Sequence, residues 1–302
     1  MLYALTLVTP DAAALPLAEE PALQALTAAG ARVKETRSLG AGAIDYLVEG
    51  EHLAAVRPAM EIALADLPVD FAFQLWAGRK KRLLIADMDS TIIGCECLDE
   101  LADFAGVKNE VSAITEQAMR GEIDFEGALR ERVAMLAGLE LSALERCYQG
   151  RVRLNAGART VVQTMTAHGA RCILVSGGFR FFTQRVAKAA GFALDRANSL
   201  IDDGAKLTGT VGEPILGREA KLEALLEETA ALGIKPFEAL AVGDGANDLM
   251  MIRAAGLGVA YRAKPVVASE ADARIDHADL TALLYFQGYS SAEFMGAESQ
   301  HG

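Results

Sequence analysis

Cysteine is scarce. Cys95, Cys97, Cys147 and Cys172 are the only four in 302 residues. Cys95 and Cys97 flank Glu96, and no second cysteine or histidine pair follows at zinc spacing, which argues against a structural zinc. No disulfide framework is suggested, and free thiols in a reducing cytoplasm are expected. Histidine is equally scarce, at four. His168 closes a helical pattern, and His52, His277 and His301 read as surface residues, which leaves a serine nucleophile without an evident base. Positive charge is in deficit: 29 Lys and Arg against 41 Asp and Glu leave a net −12. A nucleic-acid partner needs a basic face, so none is expected. An anionic substrate must instead be met by a local cluster of donors. No uncharged apolar run reaches the roughly 18 residues of a spanning helix. The start of the chain lacks a basic stretch followed by an apolar core and a cleavage site. Neither membrane insertion nor secretion is expected, and the location read from this is cytoplasmic. Repeats and low-complexity stretches are absent.

What is present is enough chain for one large domain or two smaller ones. Residues 1–77 read as a separate unit. Strands are predicted over 2–8, 31–39, 43–50 and 69–76, with helices over 17–29 and 51–65. The order βαββαβ is a ferredoxin-like α+β plan. "AGRKKR" (77–82) reads as a solvated basic linker. The second unit, 78–289, carries short, continuous apolar strands at "RLLIAD" (82–87), "RCILVS" (171–176), "ALAVGD" (239–244) and "LGVAY" (257–261). Helices lie between them, the pattern of a doubly wound, Rossmann-like α/β core with a buried parallel sheet. Such sheets bind ligands at the carboxyl ends of their strands, and here three strands end on Asp87, Ser176 and Asp244.

Between the first two core strands lie helical stretches at 98–105, 109–120, 124–137 and 142–149, a helical cap of about 95–153. "SALE" (142–145) reads as a capping box. "NSLIDDGAKLTGTV" (198–211) reads as a hairpin turning at Asp203-Gly204. Residues 290–302 read as a frayed tail.

The chemistry gathers at the strand ends. Asp87 is a candidate nucleophile towards phosphorus. Its attack on a dianionic phosphate needs a cation, and Mg²⁺ suits one or two carboxylates plus a phosphate oxygen. Asp244 offers the second carboxylate. Asp89 reads either as general acid and base or as the cap of the next turn. Ser176-Gly177-Gly178, ahead of a helix predicted from Phe179, makes a strand–glycine–helix turn suited to phosphate. Lys221 reads as a phosphate counter-charge or a solvated helix residue. "GDGAND" (243–248) is dense enough in acids to suggest a metal site, though an Asx-turn accounts for Asn247 and Asp248.

D-x-D-S-T at 87–91, Ser176-Gly-Gly, Lys221 and G-D-G-x-N-D at 243–248 occur in that order. With them the chain resembles the haloacid dehalogenase-like phosphatases, and among these the phosphoserine phosphatase family. "CECLDELADFAG" and "ITEQAMRGEIDFEGALRERV" resemble that family's cap segments. The resemblance spans about residues 80–288. It implies Asp87 as the phosphorylated nucleophile and Asp89 as acid and base. It implies Mg²⁺ held by Asp87, the backbone carbonyl of Asp89, and Asp244. Ser176, Gly177 and Lys221 would bind phosphate, with Asn247 and Asp248 in support. In the cap, Glu96 would meet the ammonium of O-phosphoserine and Arg132 its carboxylate, while Met119 and Phe125 close over it. Arg130 competes with Arg132, but Phe125 and Arg132 are seven apart and share a helix face. The implied activity is the last step of serine biosynthesis. A phosphotransferase to another alcohol such as homoserine, a phosphatase for another small monoester, and an idle fold acting as a partner protein stand as alternatives. Residues 1–77 resemble ACT-type domains. The turn "TPDAAALPL" lacks the glycine at which such domains bind an amino acid, so homodimerisation or a structural role is expected.

Overall fold

The computed structural model describes residues 1–51, 53–119 and 122–296, apart from the side chains of Ala118 and Met119. The N-terminal elements are β1 (Leu2–Val8), α1 (Leu15–Ala28), β2 (Arg32–Gly40), β3 (Ala43–Glu49), α2 (Val56–Ala63) and β4 (Asp70–Leu75). They form an antiparallel sheet in the order β2-β3-β1-β4, the ferredoxin-like arrangement. Leu5, Leu7, Ile44, Tyr46 and Val48 bury one face of this sheet against Ala18, Ala22, Leu26 and Met60 of the two helices.

The chain continues through β5 (Leu83–Ala86) into four helices, α3 (Cys97–Ala105), α4 (Lys108–Met119), α5 (Phe125–Ala134) and α6 (Leu141–Arg151). Next come α7 (Ala158–Ala167), β6 (Arg171–Phe179), α8 (Arg180–Ala190), β7 (Leu194–Asn198), the hairpin β8 (Leu200–Asp202) and β9 (Leu207–Val211), and α9 (Arg218–Leu232). The last elements are β10 (Ala239–Gly243), α10 (Leu249–Ala254), β11 (Leu257–Tyr261), α11 (Pro265–Ala268), β12 (Ala273–Ile275) and α12 (Ala282–Phe286). Six parallel strands lie in the order β12-β11-β10-β5-β6-β7. Successive residues of β5 and β6 alternate between two cores. Leu84, Ala86, Cys172 and Leu174 face α7, α8 and α12, whereas Leu83, Ile85, Ile173 and Val175 face α9 and α10. Burial on both faces is why these strands read as unbroken apolar runs.

Several expectations are corrected. β6 runs on through Gly177 to Phe179 with a register shift after Val175, and the helix begins at Arg180. The capping box at Ser142 does not form. The helix already starts at Leu141, and the Ser142 hydroxyl accepts a bond from Arg146 instead. The hairpin turn is a four-residue loop closed by Asp202 opposite Leu207, with Gly204 at φ +94°. Residues 291–293 form a helical turn, and the Met295 amide bonds to Thr164, so the tail is docked as far as it is described.

Of the four basic residues in the linker, only Lys80 and Arg82 are solvated. Arg79 is 6% exposed and pairs through both terminal nitrogens with the buried Asp45 of β3, stacking on Trp76. Lys81 is buried and donates to the carbonyls of Phe237 and Gly256. Burial pushes its pKa down to about 8. Asp70, at the start of β4, is a second clamp: its carboxylate accepts the amides of Asp276, His277 and Ala278 just after β12. Asp70→Ala would take the acceptor from three amides at once, that of Ala278 buried and those of Asp276 and His277 partly buried. We expect a loss of about 3 kcal/mol, since each unpaired group costs ~1–3 kcal/mol. Urea unfolding checks this, and an unchanged midpoint would remove Asp70 as a clamp between the two sheets.

Candidate active site

The site sits at the carboxyl ends of β5, β6 and β10. Asp87 follows β5 and keeps the ladder by donating its amide to the Val242 carbonyl. The chain then turns sharply. Ser90 takes φ +57°, unusual for a residue with a Cβ, and the Ile93 amide returns to the Met88 carbonyl. This turn sends Asp87 and Asp89 to different tasks. Asp89 accepts the Cys97 amide at 3.0 Å on one oxygen, while its other oxygen lies 3.3 Å from Ser176 Oγ. Burial, then the Glu96 charge, pushes its pKa up to about 7, against the pull of the Cys97 amide.

Lys221 is 1% exposed, one turn into α9. Its ammonium lies 2.6 Å from Asp87 and 2.5 Å from Asp248. Burial pulls it down, but the Asp248 and Asp87 charges outweigh burial and hold it above the usual lysine range. Asp248 spends its second oxygen on the amides of Asp244 and Gly245, at 3.1 and 3.0 Å. Gly243 is required there: a Cβ would fall 2.4 Å from the Asp248 carboxyl. Asp244 accepts Thr91 Oγ1 at 2.9 Å, and Thr91 is itself held through its carbonyl by Asn155. Burial and the Asp248 charge push Asp244 up to about 6. Burial, then Asp248, also raises Asp87 well above the usual carboxylate range, despite Lys221.

Carboxylate oxygens of Asp87, Asp244 and Asp248 lie within 4.8 Å of one another. One lysine does not neutralise three carboxylates, so repulsion from Asp248 adds to burial in driving Asp87 and Asp244 upward. A hard divalent cation with oxygen ligands fits this donor set. Asp248 is saturated by Lys221 and two amides, so it is suited to the outer ring. Asn247 is half-buried beside Gly245 in the same turn, its Oδ1 where a Gly245 Cβ would go.

The cap closes the other side. The Phe125 ring lies over two glycines of the core; a Cβ on Gly177 would meet it at 3.3 Å and one on Gly217 at 3.6 Å. Arg132 is half-buried, bonded to the Ala128 carbonyl and near Thr115. Burial lowers it from the usual arginine range, while the neighbouring Asp99 and Glu96 charges pull it back. Arg130 is exposed and pairs with Glu213 and Glu126. Glu96 is exposed at the mouth, accepting Ser90 Oγ at 2.5 Å. Met119 ends α4, and its side chain lies outside the described residues.

Three residues of this region escaped the sequence reading: Thr91 as the partner of Asp244, Asn155 behind it, and Asn198. Thr91 lies inside the D-x-D-S-T motif, where a hydroxyl near a metal carboxylate was a usable signal. Asn155 and Asn198 carry none, since a lone amide in a loop or at a strand end has many uses.

Fold and site together define a hydrolase with a parallel α/β core, an acid cluster at its strand ends and a helical cap. The haloacid dehalogenase-like hydrolase family model matches residues 84–253. A phosphoserine phosphatase of Polaromonas sp. is 48% identical over 208 residues, 67% of this chain and 88% of its own length. A structure described as probable phosphoserine phosphatase from Vibrio cholerae, in unliganded form, superposes with a TM-score of 0.77 at 28% identity, covering 96% of this chain and 88% of its own. A substrate-bound phosphoserine phosphatase complex superposes at 0.64 with 37% identity, over 68% of this chain and 98% of its own. The chain belongs to the haloacid dehalogenase-like hydrolase family, and it is a phosphatase. Among the described residues no helix is long and apolar enough to cross a membrane.

Proposed function

We propose that this phosphatase hydrolyses O-phosphoserine to serine and inorganic phosphate through an aspartyl phosphate on Asp87, with Mg²⁺ as its cofactor. The observation that carries the reading is the division of labour between two neighbouring acids. Asp87 lies in the acid cluster beside Lys221, whereas Asp89 is turned out of it towards Ser176 and stands near 7. In this reading Asp87 attacks phosphorus, a P–O bond forms on its carboxylate, and the bond to the serine oxygen breaks. Asp89 gives its proton to the departing alkoxide. It then takes a proton from the water that attacks phosphorus and releases Asp87. An acid near the working pH is best placed for both transfers. Lys221, Ser176 and the Gly177 amide hold the phosphoryl oxygens, and Asp248 fixes Lys221.

Asp87, Asp244 and the Asp89 carbonyl would hold Mg²⁺. The ion supplies the positive charge that lets a carboxylate approach a phosphate. Phe125, seated over Gly177 and Gly217, keeps bulk water from the acyl phosphate. Glu96 and Arg132 suit the ammonium and carboxylate of the amino-acid head, and Asn247 lines the floor. Residues 1–77 act as a scaffold on the core in this reading. The Asp45–Arg79 and Asp70 clamps support that role.

Arg132→Ala tests the substrate. A charge-assisted bond to carboxylate is worth ~1.5–3 kcal/mol, so kcat/KM for O-phosphoserine should fall about 10- to 100-fold. That for p-nitrophenyl phosphate, which lacks the carboxylate, should stay within about threefold. Arg130→Ala should leave both substrates unaffected, because its charge is spent on Glu213. Equal losses on both substrates in Arg132→Ala would remove Arg132 from recognition.

A further inference from the structure

We infer that Asn198 is a positioning residue that sets the Ser176 hydroxyl as a donor into the site; this rests on the phosphatase reading above. Asn198 ends β7, opposite Phe179, and is 2% exposed. Its amide nitrogen donates to the Gly177 carbonyl at 2.9 Å and to the Leu216 carbonyl at 3.3 Å. Its oxygen accepts the Leu216 amide at 2.7 Å. One buried side chain thus ties the Ser176–Gly178 segment to the segment that enters α9, the helix of Lys221. The Phe125 ring also lies against Gly177 and Gly217, one glycine in each of the two segments.

The consequence for Ser176 follows from one peptide plane. The carbonyl of Gly177 and the amide of Gly178 belong to the same rigid unit and point in opposite directions. Asn198 holds the carbonyl end. At the other end the Gly178 amide donates to Ser176 Oγ at 2.8 Å. With that lone pair occupied, the Ser176 proton is directed elsewhere, and Asp89 lies 3.3 Å away to receive it. A phosphoryl oxygen arriving at this spot meets the same donor. The fit here is close: a Cβ on Gly178 would fall 2.7 Å from Asp89 and 3.0 Å from Ser176 Oγ. Without Asn198 the 177–178 peptide loses its anchor and can rotate, and the Ser176 hydroxyl loses its fixed direction.

A role through Ser176 differs measurably from general support of the fold, because coupled residues depart from additivity. The test is a double-mutant cycle on kcat/KM for O-phosphoserine, using Asn198→Ala, Ser176→Ala and the pair. Asn198→Ala alone is expected to lower kcat/KM about tenfold, the scale of one lost buried bond. In the Ser176→Ala background the same change is expected to cost less than about twofold, because the donor it orients is gone. Asn198→Asp provides the second variant should Asn198→Ala fail to fold. It keeps the shape and the acceptor for Leu216 but sets a carboxylate oxygen against two carbonyls, and it is expected to lose at least as much, again only when Ser176 is present. Equal losses in both backgrounds, or no loss in either, would overturn the inference. A wild-type protein that releases no phosphate from O-phosphoserine would instead overturn the functional reading beneath it.

Discussion

Asp87→Asn is expected to abolish phosphomonoester hydrolysis, with a loss on the order of 10⁴ to 10⁶ in kcat, as for other covalent nucleophiles. The substitution keeps the volume of the side chain and removes the attacking carboxylate. Acid-quenched reactions with labelled substrate should trap a phosphoenzyme in the wild type and none in the variant. The same change carries an opposite signature in stability. Burial and Asp248 raise the Asp87 carboxyl above its unfolded value. Its contribution is therefore full below the unfolded pKa near 4 and lost as pH rises through the folded value. In chelator at neutral pH the wild type bears that cost and the asparagine variant does not. The variant should melt a few degrees higher, and added Mg²⁺ should stabilise the wild type more than the variant. More than about 1% residual turnover would contradict Asp87 as nucleophile.

Lys221→Met should be damaging in both respects. Lys221 lies between two buried carboxylates, and Asp248 is fully buried. Deleting the cation leaves like charges facing each other in the interior, which costs about 3–5 kcal/mol when a buried pair is broken. For a chain of this size that corresponds to a fall in melting temperature of roughly 5–8 °C. Lowering the pH should recover part of it. Lys221 pulls the Asp87 carboxyl down; without that cation it stands higher still, so its protonation restores relative stability as pH falls through the folded value. Turnover should drop about 10²- to 10³-fold, the scale of removing one preorganised donor from developing charge. A variant with wild-type melting behaviour would mean that the buried triad is not electrostatically balanced by Lys221.

How far the sequence reveals this molecule depends on how local the signal is. The central strands were legible because burial on both faces leaves apolar runs such as "RLLIAD" and "ALAVGD". The edge strands were not. β7, "LDRAN", and β12, "ARI", are short and partly polar, and neighbours rather than composition pair them. The helical cap was readable to within a few residues at each helix, through its glycine stops and apolar spacing. The linker misled for a physical reason. Four basic residues in a row look solvated, yet Arg79 and Lys81 point inward, where Asp45 and two carbonyls wait from distant parts of the chain. At the site, Asp87, Asp89 and Asp244 stand out in sequence because each has a dense or patterned setting, whereas Lys221 was singled out only by the family resemblance. Helical phase favoured Arg132 over Arg130 as the residue facing Phe125, and Arg130 is exposed and paired with Glu213 and Glu126. What spacing cannot give is the wiring between segments: Thr91 on Asp244, Asp248 on two amides, and Asn198 joining Gly177 to Leu216 are long-range contacts with no local mark.

The most direct measurement is phosphate release from O-phosphoserine beside a panel of other phosphomonoesters, in Mg²⁺ and after chelation, with serine and any phosphorylated acceptor alcohol quantified. Expected is one serine for each phosphate, a clear preference for O-phosphoserine over p-nitrophenyl phosphate, loss of activity in chelator and its return with Mg²⁺. Failure to release phosphate from O-phosphoserine, or activity indifferent to chelation, would contradict the assignment.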